Sequence, residues 1–259
     1  MSFININKDI YMSENDTAVN ITRETVKRLI SDIRDLRKSP LDDEGVYYKH
    51  DESNMLLGYA YICGPKDSMY FGGNYFYKFE FPYDFPHRPP KVTFINSNGR
   101  TRFHPNMYKS GKMCLSILNT WRGDQWTGCQ SIRSILLTIL SILDDKPLLH
   151  EPGFTEKNKD FQKYNKIIQH VNFDFCINQI MENTVTDTEI LTRETGSVTF
   201  YTDLFKCDVI SQFHKNKDEL TIYIDKMKDT RTYAITTGIY NLVETINWKQ
   251  VYTNFNKIK

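Results

Sequence analysis

TRFHPNMYKSGKMCLSIL, Thr101–Leu118, has neither the helical nor the strand period. It lies inside a longer aperiodic stretch, Asn96–Cys129. A run of that length without structure of its own is uncommon inside a compact domain and usually functional. It holds a thiol at Cys114 and an imidazole at His104. Cys114 follows Lys109-Ser110-Gly111-Lys112, a polar turn with a cation close by, which favours the thiolate. Pro105 restricts the backbone beside His104 and gives that ring a structural look. The residues leave three readings open: a Cys–His hydrolase pair, a small inert thiol, or a zinc site from Cys114, Cys129, His104 and His150. The last spacing matches no metal pattern.

Upstream, Thr22–Lys38 predicts an amphipathic helix with Val26, Leu29, Ile30, Ile33 and Leu36 on one side. Thr22 is placed to cap its start, and Pro40 stops it. Arg23, Lys27, Arg34 and Lys38 line a stripe beside that face; such stripes are commonly just solvated. Four runs rich in Tyr, Phe, Val and Ile then predict strands at Val46–His50, Met55–Cys63, Asn74–Phe81 and Lys91–Ile95. The turn residues between them suit an antiparallel meander. Pro86, Pro89 and Pro90 make Phe81–Pro90 a fixed loop, because a central strand needs the N–H that proline lacks. Downstream, Ser131–Leu143 predicts a buried central helix, Asp144–Phe154 a loop, and Lys157–Met181 a third helix. Residues 185–259 read less clearly: a helix around Leu204–Phe213, and helix or strand over Glu219–Met227. Phe200, Tyr201, Trp248 and Tyr252 argue for folded structure. The division expected is a loose lead-in over 1–20, a core domain over 21–183, and a folded extension over 184–259.

The chain has 33 Lys and Arg against 32 Asp and Glu, a balance that offers no support for a nucleic-acid partner. Its 5 cysteines are scattered without a CxxC pair, which suits a reducing compartment better than a disulfide framework. No signal-peptide pattern opens the chain, and no apolar run is long enough for a bilayer. The expectation is a cytoplasmic or nuclear protein, with no membrane partner.

The run Thr101–Asn106, followed at the right interval by Cys114–Leu118, resembles the active-site signature of ubiquitin-conjugating enzymes. Phe81–Val92 resembles that family's loop between its third and fourth strands, and Trp126 with the Ser131 helix matches its tryptophan and central helix. The resemblance covers about Thr22–Met181. Between Cys114 and Trp126 the chain carries extra residues, including Trp121 and Gly123. With His150-Glu151-Pro152-Gly153-Phe154 and the extension, this resembles the long class containing the Z-type enzyme and the giant hybrid enzymes.

The resemblance implies an α+β fold: an N-terminal helix, a four-stranded antiparallel meander, an active-site loop, and central and C-terminal helices. It implies ubiquitin or a ubiquitin-like protein held as a thioester on Cys114 and passed to a substrate lysine. No cofactor and no metal are needed, because ATP is spent earlier on the activating enzyme. It implies Asn106 as the residue that stabilises the oxyanion or orders the loop that does so, with His104 and Pro105 as supporting loop. His150, Glu151 or Asp145 stand where a gate or base is expected, since Leu148 and Leu149 occupy the usual position. Arg23, Lys27 and Arg34 match the face offered to the activating enzyme. His87, Thr127 and Gly128 occupy the ligase-facing loops but depart from the common residues there. The alternative is a catalytically inactive, ubiquitin-binding variant of the same fold. Because every chemical role falls between His104 and Glu151, a fragment ending near Asn183 is expected to stay soluble and to load ubiquitin, although the extension would cover apolar surface on the third helix, where Phe173 and Phe175 lie.

Overall fold

The computed structural model describes residues 21–185 and 197–258; the expected lead-in over 1–20 lies outside them. Helix α1 (Arg23–Lys38) begins at Thr22, whose hydroxyl accepts the Thr25 N–H at 3.0 Å. Its buried face is not the expected apolar one. Thr25, Leu29, Asp32 and Leu36 point inward, Val26 and Ile33 are half-buried, and Ile30 is exposed. Polar anchors turn the helix. Thr25 donates to the carbonyls of Tyr83 and Phe85, and Asp32 accepts the Ile132 N–H at the start of the central helix at 3.1 Å. A buried carboxylate satisfied in this way fixes the orientation that the aliphatic residues left loose.

Strands β1 (Val46–His50), β2 (Leu57–Cys63), β3 (Asn74–Glu80) and β4 (Lys91–Phe94) form the expected antiparallel meander, in the order β1-β2-β3-β4. An antiparallel sheet with one wet face alternates buried and exposed residues. Here Gly58–Cys63 is buried at every position, so both faces are covered. On one face Tyr47, Tyr61 and Phe76 stand directly opposite one another across three strands. The other carries Tyr48, Ala60, Tyr77 and Phe94 in the same manner.

Helix α2 (Ile132–Ile142) opens with a capping box between Ser131 and Ser134 and buries Ile132, Ile135, Leu136 and Ile139 as expected. The predicted third helix is one continuous rod in three parts: α3 (Phe161–Val171), a π-helical turn (Asn172–Gln179) and α4 (Ile180–Val185). The π turn shifts the register and so carries buried residues onto new faces. Its Asn172 accepts from the Tyr75 hydroxyl at 2.6 Å and donates to the Phe71 carbonyl at 3.0 Å.

After residue 197 the chain folds back. Helices α5 (Val198–Leu204) and α6 (Lys206–Met227) are followed by a hairpin, β5 (Tyr233–Thr236) with β6 (Val243–Ile246), and by α7 (Trp248–Phe255). The ambiguous Glu219–Met227 is helix; the hairpin is not visible in the sequence, its strands being four residues each. Tyr201 and Phe205 pack on the sheet face of Tyr59, Tyr61 and Phe76, with ring centroids 5.6–6.3 Å apart. Phe173 of the π turn stacks on Tyr223 at 4.9 Å and meets Trp248 edge-on at 5.6 Å. These contacts pack the extension on the sheet and on the π turn. A fragment ending near Asn183 would uncover Tyr59, Tyr61 and Phe76 on the sheet, and Phe173 on the π turn.

Candidate functional site

The loop holding Cys114 is pinned to the sheet and to itself. Short bridges join Thr93 to Lys112, His104 to Met107, and Met107 to Met113. Cys114 and Asn106 then clasp each other. The Cys114 N–H donates to the Asn106 carbonyl at 2.9 Å, and the Asn106 side-chain amide donates to the Cys114 carbonyl at 2.5 Å. Asn106 is buried and its Oδ1 has no hydrogen-bond partner among the described residues. His104, fully buried, accepts the Asn106 N–H on Nδ1 at 3.0 Å, so its proton resides on Nε2. Burial, then the neighbouring His150 and Arg102, hold its pKa well below the usual imidazole value. A neutral ring that orders a backbone N–H is a structural part.

The other thiols differ in setting. Cys63 and Cys176 are buried, and desolvation pushes Cys63 up to about 11 and Cys176 higher, so both stay protonated. Cys129 and Cys207 are exposed. Cys114, 3% exposed, is the one clasped by Asn106. No group of three or more His, Cys, Asp and Glu side chains converges as a metal site among the described residues.

The loop after α2 brings His150 beside His104, with ring centroids 4.8 Å apart. His150 Nε2 pairs with Asp144 Oδ2 at 2.7 Å, an orienting carboxylate. Asp145 is exposed, and Glu151 accepts a hydrogen bond from the Tyr240 hydroxyl. Leu148 is buried and Leu149 exposed.

Residues named separately in the sequence meet on the surface. Arg23, Lys27, His87 and Gly128 line one shallow depression, with Glu24 bonded to His87 Nε2 at 3.1 Å. Arg34 lies further along the exposed side of α1, and Thr127 N–H donates to the Gln130 side chain at 3.0 Å. Arg28, which sequence reasoning passed over, welds the depression by donating to the Gly128 and Gln130 carbonyls and to Asp32. Its signal was an Arg–Asp pair at helical spacing. Behind this surface the Trp126 indole donates to the Pro86 carbonyl at 2.7 Å, tying the loop of Thr127 and Gly128 to the proline-rich one. Arg102 and Tyr240 were also missed, the latter because nothing local in its sequence points at the distant thiol. Among the described residues no helix is long and apolar enough to cross a membrane.

Comparison with known proteins agrees with this geometry. A family profile described as ubiquitin-conjugating enzyme matches residues 28–171. Ubiquitin-conjugating enzyme E2 Z of Danio rerio is 36% identical over 173 residues, covering 66% of this chain and 52% of that protein. E2 Z of Homo sapiens is 37% identical over 158 residues, covering 60% and 44%. The human dual E2 ubiquitin-conjugating enzyme/E3 ubiquitin-protein ligase BIRC6 is 37% identical over 115 residues, covering 42% of this chain and 2% of that one. The chain thus spans about half the length of the E2 Z relatives it matches. The matched segment contains the clasped Cys114–Asn106 loop, the meander and the central helix, and the likeness to E2 Z fits the long class with its extra residues before Trp126. The chain belongs to the ubiquitin-conjugating enzyme family.

Proposed function

We propose that this chain accepts ubiquitin or a ubiquitin-like protein from an activating enzyme as a thioester on Cys114 and transfers it to a substrate lysine. The reading rests on one observation above the rest: Cys114 sits in the matched segment, clasped in both directions by Asn106. In loading, the Cys114 thiolate attacks the acyl carbon and the activating enzyme's thiolate departs. In discharge, the lysine nitrogen attacks, loses a proton, and Cys114 leaves as thiolate. Sulfur suits both steps because it is a good nucleophile and a good leaving group. Asn106, with its amide on the Cys114 carbonyl, holds the loop in place in the resting state and is the side-chain donor proposed for the thioester oxyanion. For the lysine proton, His150 is the preferred base: Asp144 fixes its Nε2–H and leaves Nδ1 as acceptor. The depression around Arg23, Lys27 and His87, with Arg34 beside it, is the proposed face for the activating enzyme and then for a ligase. Residues 21–183 supply this apparatus and 197–258 brace it.

A second reading, a ubiquitin-binding variant without transfer activity, is favoured by the low exposure of Cys114. One experiment separates the two. The full chain is incubated with activating enzyme, ATP and ubiquitin and run on a non-reducing gel. Transfer activity requires a thiol-sensitive adduct in the wild type and a thiol-resistant oxyester, or none, in Cys114→Ser. Normal charging of Cys114→Ala, or no adduct with any ubiquitin-like protein, refutes the assignment.

A further inference from the structure

The turn of the hairpin joins β5 to β6 through Thr237–Leu242, and Tyr240 sits at its apex with φ 57° and ψ 4°. Asn241 follows at φ 49°. Asn enters the left-handed region readily; an aromatic residue is held there only where the surroundings over-determine it. The surroundings here are unusually complete. The turn is anchored to the start of α3, where buried Asp160 accepts the Ile239 N–H at 2.9 Å. The Tyr240 ring then covers the Arg102 guanidinium at 4.2 Å, while Tyr108 covers it from another side at 3.8 Å. Arg102 so held donates to the Pro105 carbonyl, and the Tyr164 hydroxyl donates to the Arg102 carbonyl at 2.8 Å. At the far end of the same loop, Lys109 Nζ donates to the Tyr240 carbonyl at 3.2 Å. The Tyr240 hydroxyl donates to Glu151, on the loop where the gate residue is expected.

One residue of the extension therefore touches both ends of the segment 102–109, which contains His104, Pro105 and Asn106, and touches the loop after α2 as well. We infer that Tyr240 is a positioning residue of the transfer reaction: it clamps the His104–Asn106 loop, through Arg102 and Lys109, against the Glu151 loop, and so sets the placement of Asn106 relative to the Cys114 carbonyl. The inference rests on the proposed thioester function for its kinetic consequence and on the geometry alone for its structural one. Burial, and then the hydrogen bond to Glu151, raise the Tyr240 pKa, so the hydroxyl stays protonated and donating across the physiological range. The clamp has a chemical logic. A sandwiched guanidinium cannot be replaced by the point charge of lysine, because stacking needs the planar ion. Displacing a positioned group by about 1 Å costs on the order of a hundredfold in rate. Discharge to a free amine is the step that reads the clamp.

The test uses the full chain with Tyr240→Ala, Tyr240→Phe and Arg102→Lys. Two readouts are taken: peptide-resolved hydrogen exchange over residues 102–109, and single-turnover discharge of the pre-formed Cys114 thioester to free lysine. Tyr240→Ala is expected to speed exchange over 102–109 at least about tenfold without changing β2 and β3, and to slow discharge at saturating lysine at least about tenfold with little change in loading. Tyr240→Phe keeps the stack and loses only the Glu151 bond, so it folds like the wild type and falls between the two. Arg102→Lys is expected to reproduce Tyr240→Ala, and the double variant to be no worse than either single one, because both break the same clamp. Unchanged exchange over 102–109 in Tyr240→Ala overturns the inference; so does faster exchange with an unaltered discharge rate, which makes Tyr240 a purely structural residue. If the Ala variant does not fold, a Phe variant that matches the wild type in both exchange and discharge overturns it equally. If the wild type forms no thioester, the proposed function has failed, and the exchange readout still decides whether the clamp exists.

Discussion

Phe205→Ala probes the seam between the extension and the sheet. Phe205 is fully buried, with ring centroids 6.0 Å from Tyr61 and 6.3 Å from Phe76, and with Lys49 Nζ 4.8 Å from its centre. Truncation to Ala removes a ring burying on the order of 150 Å². At about 25 cal/mol per Å² that is about 4 kcal/mol, inside the range of roughly 3–5 found for Phe→Ala in cores once the cavity is included. The chain reports on itself: Trp121 and Trp126 lie in the core and Trp248 in the extension. Urea unfolding is followed by tryptophan emission and by far-UV circular dichroism. With a slope of about 2.5 kcal/mol/M, the midpoint should fall by roughly 1.5 M. Because Phe173, Tyr223 and Trp248 join the two parts a second time, both signals should move together. A loss below about 1 kcal/mol would mean that the extension does not cover the sheet as described. Split transitions, with the core signal unmoved, would refute the claim that the extension braces the core.

Acidification should act through His170. It is buried against Trp248, accepts the Asn247 N–H at 3.0 Å, and burial lowers its pKa from 6.5 to about 4. The folded state thus holds it neutral where the unfolded state is protonated. Its contribution is complete above pH 6.5 and is lost as pH falls toward 4, to no more than about 3 kcal/mol, with Glu244 3.8 Å away able to recover part once the ring charges. Urea midpoints at pH 7.5 and 5 should therefore differ less in His170→Gln than in the wild type; equal differences count against the reasoning. Asp32→Ala removes the acceptor of the Ile132 N–H and of Arg28, and should cost about 2 kcal/mol in urea unfolding. Asp32→Asn, which keeps an acceptor, should cost less, and the reverse order would show that the charge itself decides.

The meander, the central helix and the aperiodic loop that carries Cys114 are legible in the sequence. Each is written locally: β-branched and aromatic runs between turn residues, a wide Ile and Leu face on Ser131–Leu143, and the interval between Asn106 and Cys114. Short-range pattern carries these because neighbours in the chain are also neighbours in the element. The features that could not be read there depend on residues far apart. The inward face of α1 was settled by Thr25 and Asp32, through partners on the proline-rich loop and α2, against the aliphatic pattern. Whether the second face of the sheet is wet or dry was settled by Tyr201 and Phe205, residues whose own helix shows nothing of its target. Tyr240 reaches Arg102 and Glu151 only because a short, weakly patterned hairpin is anchored on Asp160. Local propensity has no means of expressing such pairings: their energy comes from burial and hydrogen bonds that exist only once the distant partner is in place.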